Sequence, residues 1–479
     1  MARIPISQTL PGTIFDIRSE IRPFAPPSDR GIVIDMMPLT WFNEGEIVDI
    51  HSREWQSAFA ITKLGVSAAM TAPDDERAKA TQRSLLMIMA SGNLAGQSYG
   101  ASMGLIFPQN TGGDKAEAVQ GDITWRAKKS GTAGNYIHVN VVKQDESHTI
   151  TTFFKGQRMY VQRINDIAHL PTLMRENMLI DAVYDETNPD VEFTTGEVNL
   201  QGGDNGTIPA YNTRLQAFLD KASTKRWHAI GLAMTPQDNG FSAARVAFRS
   251  WLRQLNEDLQ EERHGIVAGE FENPDTGMDS DQLDVVFQEL EINNDYWLEM
   301  DDVVRLFAGR SAGAAANHSQ TNDVINQVTG VRPDLNMRQR QDADDRSLFT
   351  IIENWDGRYK VLRDVNSFVS FVPEKNIQWR DNRTKRTLHD LMTRWHIIFD
   401  TQHKGRTPNN DRGRNLIKGD MDNLITIMES EEKFSGHDVS HISVEPNANS
   451  PTAVDMEIIP LNVVNAIDTI FAKIRINWA

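Results

Sequence analysis

The spacing of apolar positions changes several times along this chain, and each change marks a different kind of element. Residues 31–36 form a short apolar run of strand length. Residues 52–63 and 74–90 carry apolar positions at helical spacing. Asp74, Asp75 and Glu76 put acid into the first turn of the second helix, where the helix dipole favours it. Between 101 and 205 the pattern turns strand-like, with Gly, Thr and Asn at the breaks; 121–127, 135–144, 148–155 and 159–164 are the predicted strands. From 209 onward helix and strand alternate. Tyr211, Leu215, Phe218 and Leu219 mark one helix face, and Phe248, Trp251, Leu252, Leu255 and Leu259 mark another. Apolar strands at 227–234 and 264–269 follow them. Such alternation predicts a parallel sheet.

The last stretch predicts a hairpin, 348–353 with 359–365, around Asp356-Gly357. A long helix then starts at Asp381, with Leu388, Leu391, Met392, Trp395, Ile398 and Phe399 as its apolar stripe. A second helix over 410–432 and strands near 439–445, 453–460 and 466–476 complete the chain. At the other end, Pro5, Pro11, Pro23, Pro26 and Pro27 exclude a helix from residues 1–30, and 12–21 alternates as a short strand. Both ends therefore read as extended arms that must pair with something else.

The predicted fold class is α+β and multidomain. An N-terminal arm (1–30) precedes an α/β middle domain (31–100 and 209–345). A β-rich domain (101–208) is inserted into the latter, and a C-terminal α+β domain (346–479) ends in a strand. Thr13, Ile14, Phe15 and Ile17 in the first arm, and Ile470, Phe471, Ile474 and Ile476 in the last, are the candidates for strand exchange between subunits.

Composition narrows the function. With 39% hydrophobic residues in 479, the chain can bury more than one core. It has no cysteine, which excludes disulfide frameworks, thiolate zinc sites and cysteine nucleophiles. No apolar run is long enough to span a bilayer, and residues 1–11 lack the core of a signal peptide, so no membrane partner is expected. A net charge of −17 argues against a nucleic-acid partner. The charge is uneven: residues 375–418 hold eleven Lys/Arg and four Asp, a local +7 that leaves −24 on the rest. That points to one surface tuned to an acidic partner. Arg383, Arg386 and Arg394, opposite the apolar stripe, and Lys404 and Arg406, in the loop after it, are the exposed candidates.

Candidate chemistry is sparse. His389, His396 and His403 recur every seven residues rather than at the i, i+4 spacing of a helical zinc pair. His437 and His441 fall in a predicted strand, which would hold them ~13 Å apart. Gly202-Gly203-Asp204-Asn205-Gly206 lacks the Lys-Ser/Thr of a phosphate loop and reads as a tight turn at a domain junction. Asp342, Asp344 and Asp345 are bracketed by Arg338, Arg340 and Arg346 and read as a mixed-charge face. The small-residue run 309–316 reads as close backbone packing at a helix end. No catalytic, cofactor or metal site is expected, and the chain does not read as an enzyme.

Several short passages, in order, resemble a known family. They are Leu10-Pro11-Gly12-Thr13-Ile14; Gly131-Thr132-Ala133-Gly134-Asn135; Leu200-Gln201-Gly202-Gly203-Asp204-Asn205-Gly206; and Ala308-Gly309-Arg310-Ser311-Ala312-Gly313 with Asn317-His318-Ser319. In the C-terminal part they are Arg363-Asp364-Val365-Asn366-Ser367-Phe368, Arg380-Asp381-Asn382-Arg383, and Gly405 with Pro408-Asn409-Asn410. Together they resemble the contractile tail sheath proteins of myophages, of the type found in Gram-positive prophages, which are related to the sheaths of R-type bacteriocins and type VI secretion systems. Thr13 stands where that family commonly has an aliphatic residue. The resemblance implies a structural subunit without cofactor, assembled in a bacterial cytoplasm and carried in a virion tail. It implies six-fold rings stacked helically on a tail tube, arms that donate strands to neighbours, an inner C-terminal domain, and baseplate and tail terminator proteins as further partners. Two other readings of the residues stand beside it: another self-assembling virion protein, such as a tube or capsid subunit, and a cytosolic α/β enzyme.

Overall fold

The computed structural model describes residues 30–55, 57, 59–66, 76–89, 100–185, 187–188, 191–258, 263–272, 278–373 and 375–466. They fall into two compact units, one of residues 30–390 with 463–466, the other of residues 391–462.

The first unit is organised by a six-stranded sheet with Ile32–Met37 at its centre. Met103–Pro108 pairs with it in parallel on one side and Ala229–Leu232 on the other. His264–Ala268 and Leu283–Val286 extend the parallel run, and Val48–His51 closes the opposite edge antiparallel to Met103–Pro108. Ile32–Met37, Ala229–Leu232 and His264–Ala268 are the short apolar runs expected from the sequence, and the parallel strands are mostly buried on both faces because helices cover both faces of a parallel sheet, whereas Val48–His51 alternates buried and exposed residues. Leu85 and Ile88 of Glu76–Met89, Phe218 and Leu219 of Tyr211–Ala222, Phe248 and Leu252 of Phe241–Arg253, and Val303, Val304 and Phe307 of Met300–Gly313 share one core with the strands. The predicted helix over 52–63 is instead two short ones, Ser52–Trp55 and Phe59–Leu64.

Met300–Gly313 is buried along nearly its whole length, charged residues included. A β-carbon on Gly309 would sit 2.2 Å from the Ile88 carbonyl oxygen, so the small residues of this helix admit the backbone of Glu76–Met89. Arg305, on the same helix, donates to Asp35 of the central strand at 2.9 Å and to Asp301 at 2.8 Å. Burial pushes the Asp35 carboxyl up to about 6, against the pull of that guanidinium.

The β-rich insertion leaves and rejoins the sheet at one place. It holds a three-stranded sheet (Glu117–Gln120, Ile123–Ala127, Ile180–Val183) and a four-stranded antiparallel one. The order of the latter is Gly196–Asn199, Ile137–Gln144, Ser147–Phe154, Gln157–Ile164. Its core, around Trp125, Val139, Phe154 and Leu170, takes in Trp41 and Ile61 from the base. The two legs are tied together. Thr111 and Thr207 form a backbone bridge, and the Asn110 side chain accepts from Leu39 N at 2.7 Å and donates to the Asn205 carbonyl at 2.9 Å. Asn205 Oδ1 accepts from Thr132 N, and Asn135 and Gly203 exchange two hydrogen bonds. Gly131, at φ 124°, passes so close to the Thr40 carbonyl that a β-carbon would overlap it. The glycine-rich passages of the sequence thus build a joint, as the tight-turn reading expects.

Candidate assembly surfaces

The second unit is built around Asp411–Ser430, whose first turn is capped by Asn410 accepting from Gly413 N at 2.9 Å. Ile417, Met421, Leu424, Ile425 and Met428 form its buried stripe, and Phe434, Ile442 and Val444 are buried in the same unit. Ile442–Pro446 and Val454–Ile458 make a two-stranded antiparallel sheet, and among the described residues no third strand joins either edge. Side chains alternate along it. Ile442 and Val444 point inward, while Ser443, Glu445, Asp455 and Glu457 are exposed. Glu445 lies directly opposite Asp455, and Ser443 opposite Glu457. Two carboxylates facing each other across a ladder repel, so this face favours a cationic partner.

The basic helix differs from its expectation. It spans Asn382–Ile398; the part through Asp390 belongs to the first unit and the part from Leu391 to the second. Arg386 is buried, not exposed. Its guanidinium is paired with the buried carboxylate of Asp364 and donates to the His318 carbonyl at 2.7 Å. Asp364 also accepts from Gln320 N at 2.9 Å and Asn382 Nδ2 at 3.2 Å. Burial alone would raise the Asp364 carboxyl; Arg386 and these donors hold it below the ordinary carboxylate range. Lys385 reaches Asp281 at 3.1 Å, joined there by Lys375 at 3.2 Å, and both ammonium groups lie over the Trp379 ring. In the second unit Arg394 is likewise buried, its fork on Glu431 at 3.1 and 2.9 Å.

Arg386 and Arg394 are therefore corrected from exposed to buried. The face opposite the apolar stripe is covered because carboxylates remote in sequence, Asp281, Asp364 and Glu431, supply the counter-charge. Arg383 is half-buried. Lys404 and Arg406 are exposed, Lys404 paired with Asp400 at 2.9 Å and Arg406 donating to the Thr401 carbonyl. The arm candidates Thr13, Ile14, Phe15, Ile17, Ile470, Phe471, Ile474 and Ile476 lie outside the described residues.

The histidines are also placed. His389 and His403 are buried and His396 is exposed. His403 meets Asp420 at 3.0 Å. His437 and His441 are closer than a strand would hold them. Asp438 caps a 3-10 turn, Val439–His441, and the two rings meet edge-on at 6.0 Å. His437 bonds Asp422 at 2.9 Å. Among the described residues no three His, Asp or Glu side chains are grouped so as to hold a metal ion, and no helix is long and apolar enough to cross a membrane.

The chain is similar to known proteins in part of its sequence and in its fold. Residues 374–477 match the phage tail sheath C-terminal domain. A search of curated protein sequences gives no match. Among solved structures, the sheath tail protein of Listeria innocua superposes with a TM-score of 0.74 at 19% identity, over 92% of this chain and 94% of that one. The sheath tail protein of Desulfitobacterium hafniense gives 0.68 at 21% identity, over 98% and 100%. The helical sheath of the anti-feeding prophage in its contracted state gives 0.54 at 10% identity, over 98% and 100%. The fold of the whole chain is thus a sheath-protein fold, mixed α/β and multidomain as the sequence predicts.

Proposed function

We infer that this chain, a phage tail sheath protein by its C-terminal domain and its fold, is the structural subunit of a contractile tail sheath. Copies stack as hexameric rings around a tail tube, and contraction drives the tube through the target envelope. The observation that carries this reading is the match of residues 374–477 to the sheath C-terminal domain. The protein works by polymerising, as part of a virion tail built in a bacterial cytoplasm, with tube, baseplate and terminator proteins as partners.

Strand addition supplies the links. The open two-stranded sheet in residues 391–462 offers edges to arms from neighbouring copies. The sequence of the last arm fits its charge. Lys473 and Arg475 alternate with Ile474 and Ile476, so an added strand would turn its cations to the Glu445, Asp455 and Glu457 face and its isoleucines to the apolar one. The tube contact falls to Lys404 and Arg406, the exposed members of the basic set. Single exposed contacts of this kind are weak and act by repetition around a ring, which lets them release together. In this reading, as the family resemblance implies, the 346–479 region lies innermost and the 101–208 insertion outermost.

Negative-stain microscopy of the purified protein tests the assignment. Wide hollow cylinders support it; narrow tubes, closed shells or isolated particles would each overturn it.

A further inference from the structure

A fully exposed tryptophan sits at the tip of a hydrogen-bonded hairpin. Trp355 tops the hairpin of Ile351–Glu353 and Tyr359–Val361 and is as accessible as in an isolated residue. The tip is ordered by its own bonds. Asn354 N donates to the Arg358 carbonyl and Gly357 N to the Asn354 carbonyl, each at 2.9 Å. The Asp356 carboxylate accepts from Arg358 N at 3.2 Å and from its guanidinium at 2.8 and 2.6 Å. The backbone under the ring thus has little freedom left to lose on binding, and tryptophan is among the residues enriched at interface anchors.

The same compact unit carries a cavity of about 290 Å³ at the edge of the main sheet. Its floor is apolar, from Met278, Val285 and Leu348. Its rim carries Glu270, Asp279 and Asp345. Arg346, also at the rim, is already engaged by Asp342 and the Phe271 carbonyl. At about 30 Å³ per water the space takes roughly ten water molecules, enough for an indole. The apolar floor suits the indole ring and the acidic rim offers acceptors to its N–H, while Asp356 and Arg358 beside it pair with each other and bring no net charge. The exposed Trp355 does not fill the cavity of its own copy.

We propose that Trp355 of one copy seats in the Met278–Val285–Leu348 cavity of a second copy. Peg and socket are different patches of one chain, so the contact is head-to-tail: each copy gives a peg to one neighbour and receives one from another. Contacts of this class propagate into rings or helices rather than stopping at a dimer, as a sheath lattice requires. This goes beyond strand exchange, since it fixes a side-chain contact between the bodies of subunits rather than between their arms.

The cysteine-free chain allows a direct test. Trp355→Cys is combined with Val369→Cys, a part-exposed residue of the socket wall. Cylinders, formed at a concentration above the raised threshold that loss of Trp355 brings, are oxidised and run on a denaturing gel without reductant. A ladder of trimers and longer species is expected from the double variant; each single variant stops at dimer. Independently, Trp355→Ala should raise the critical concentration for assembly roughly thirtyfold, as loss of an anchor residue does, and Trp355→Phe should raise it less. Met337→Ala, at another highly exposed apolar residue outside the peg, should leave it unchanged. Cylinders of the double variant with nothing above dimer, or Trp355→Ala assembling at the wild-type concentration, would overturn the contact. Wild-type cylinders are the reference in every arm, so failure of the peg is read separately from failure of the sheath assignment.

Discussion

Replacing Arg386 by Gln separates the two readings of the basic helix. On the sequence pattern alone this residue is a surface cation whose loss spares folding. In the structure it is buried against Asp364, which is itself buried and also accepts from Gln320 and Asn382. Removing one partner of a buried pair leaves the other charge uncompensated, at a cost of about 3–5 kcal/mol. For a large domain about 2 °C of unfolding temperature corresponds to each kcal/mol, so Arg386→Gln should unfold roughly 6–10 °C lower. Asp364→Asn should cost a similar amount, and the double variant much less than the sum, because each removes the same interaction. The pH dependence has a definite sign. Asp364 titrates below its ordinary value in the folded chain, so its contribution is present above the unfolded carboxylate pKa and is lost as pH falls through the lower folded one. Acidification below about pH 4 should therefore narrow the gap between wild type and Arg386→Gln. Scanning calorimetry and circular dichroism on the unassembled protein read all of this. An Arg386→Gln protein that melts within a degree of wild type would refute the buried-pair account and return the residue to the surface.

Three further outcomes are expected. Lys404→Glu with Arg406→Glu should leave the melting temperature within about 1 °C, since both side chains are exposed, yet impair sheathing of preformed tubes; normal sheathing by that variant rules out the tube contact. Gly309→Val should destabilise by about 1–3 kcal/mol or more, because the new side chain meets the Ile88 backbone at once, and an unchanged denaturation midpoint would contradict the packing described. Deleting residues 1–20 should give folded protein that no longer polymerises, and long cylinders from that variant would remove the first arm from the linkage.

Much of the architecture is legible in the sequence because it rests on local periodicity. Three central strands of the main sheet, Ile32–Met37, Ala229–Leu232 and His264–Ala268, are short apolar runs, and those of the insertion alternate in register with their pleat. The junction is legible for a different reason: its glycines and asparagines are residues whose backbone or side chain meets the requirements of tight turns. Legibility ends where partners are distant. Nothing near Arg386 or Arg394 in sequence announces Asp364 or Glu431, so a one-dimensional charge count assigns them to solvent. The turn at Val439–His441 was hidden for a subtler reason. Asp438 and His441 cap it with side-chain bonds, while the flanking valine and isoleucine keep a strand-like composition. The sequence puts Trp355 in the predicted turn between 353 and 359, but a turn position alone does not say whether an aromatic ring folds back on its hairpin or stands free.

The joint at Asn110 and Asn205 also makes the insertion a cassette. Its two legs are bridged just outside it, at Thr111 and Thr207, so a module replacing residues 112–206 would start from ends already held together, provided that it supplies an acceptor for Asn110 in place of the Asn205 carbonyl. The graft has one hydrophobic debt at the base: Trp41 and Ile61, now sealed into the insertion's core, need either a replacement cover or polar substitutes. With that met, and with the chain assembling as proposed, a foreign domain could be carried on every copy, its spacing set by the lattice rather than by a linker.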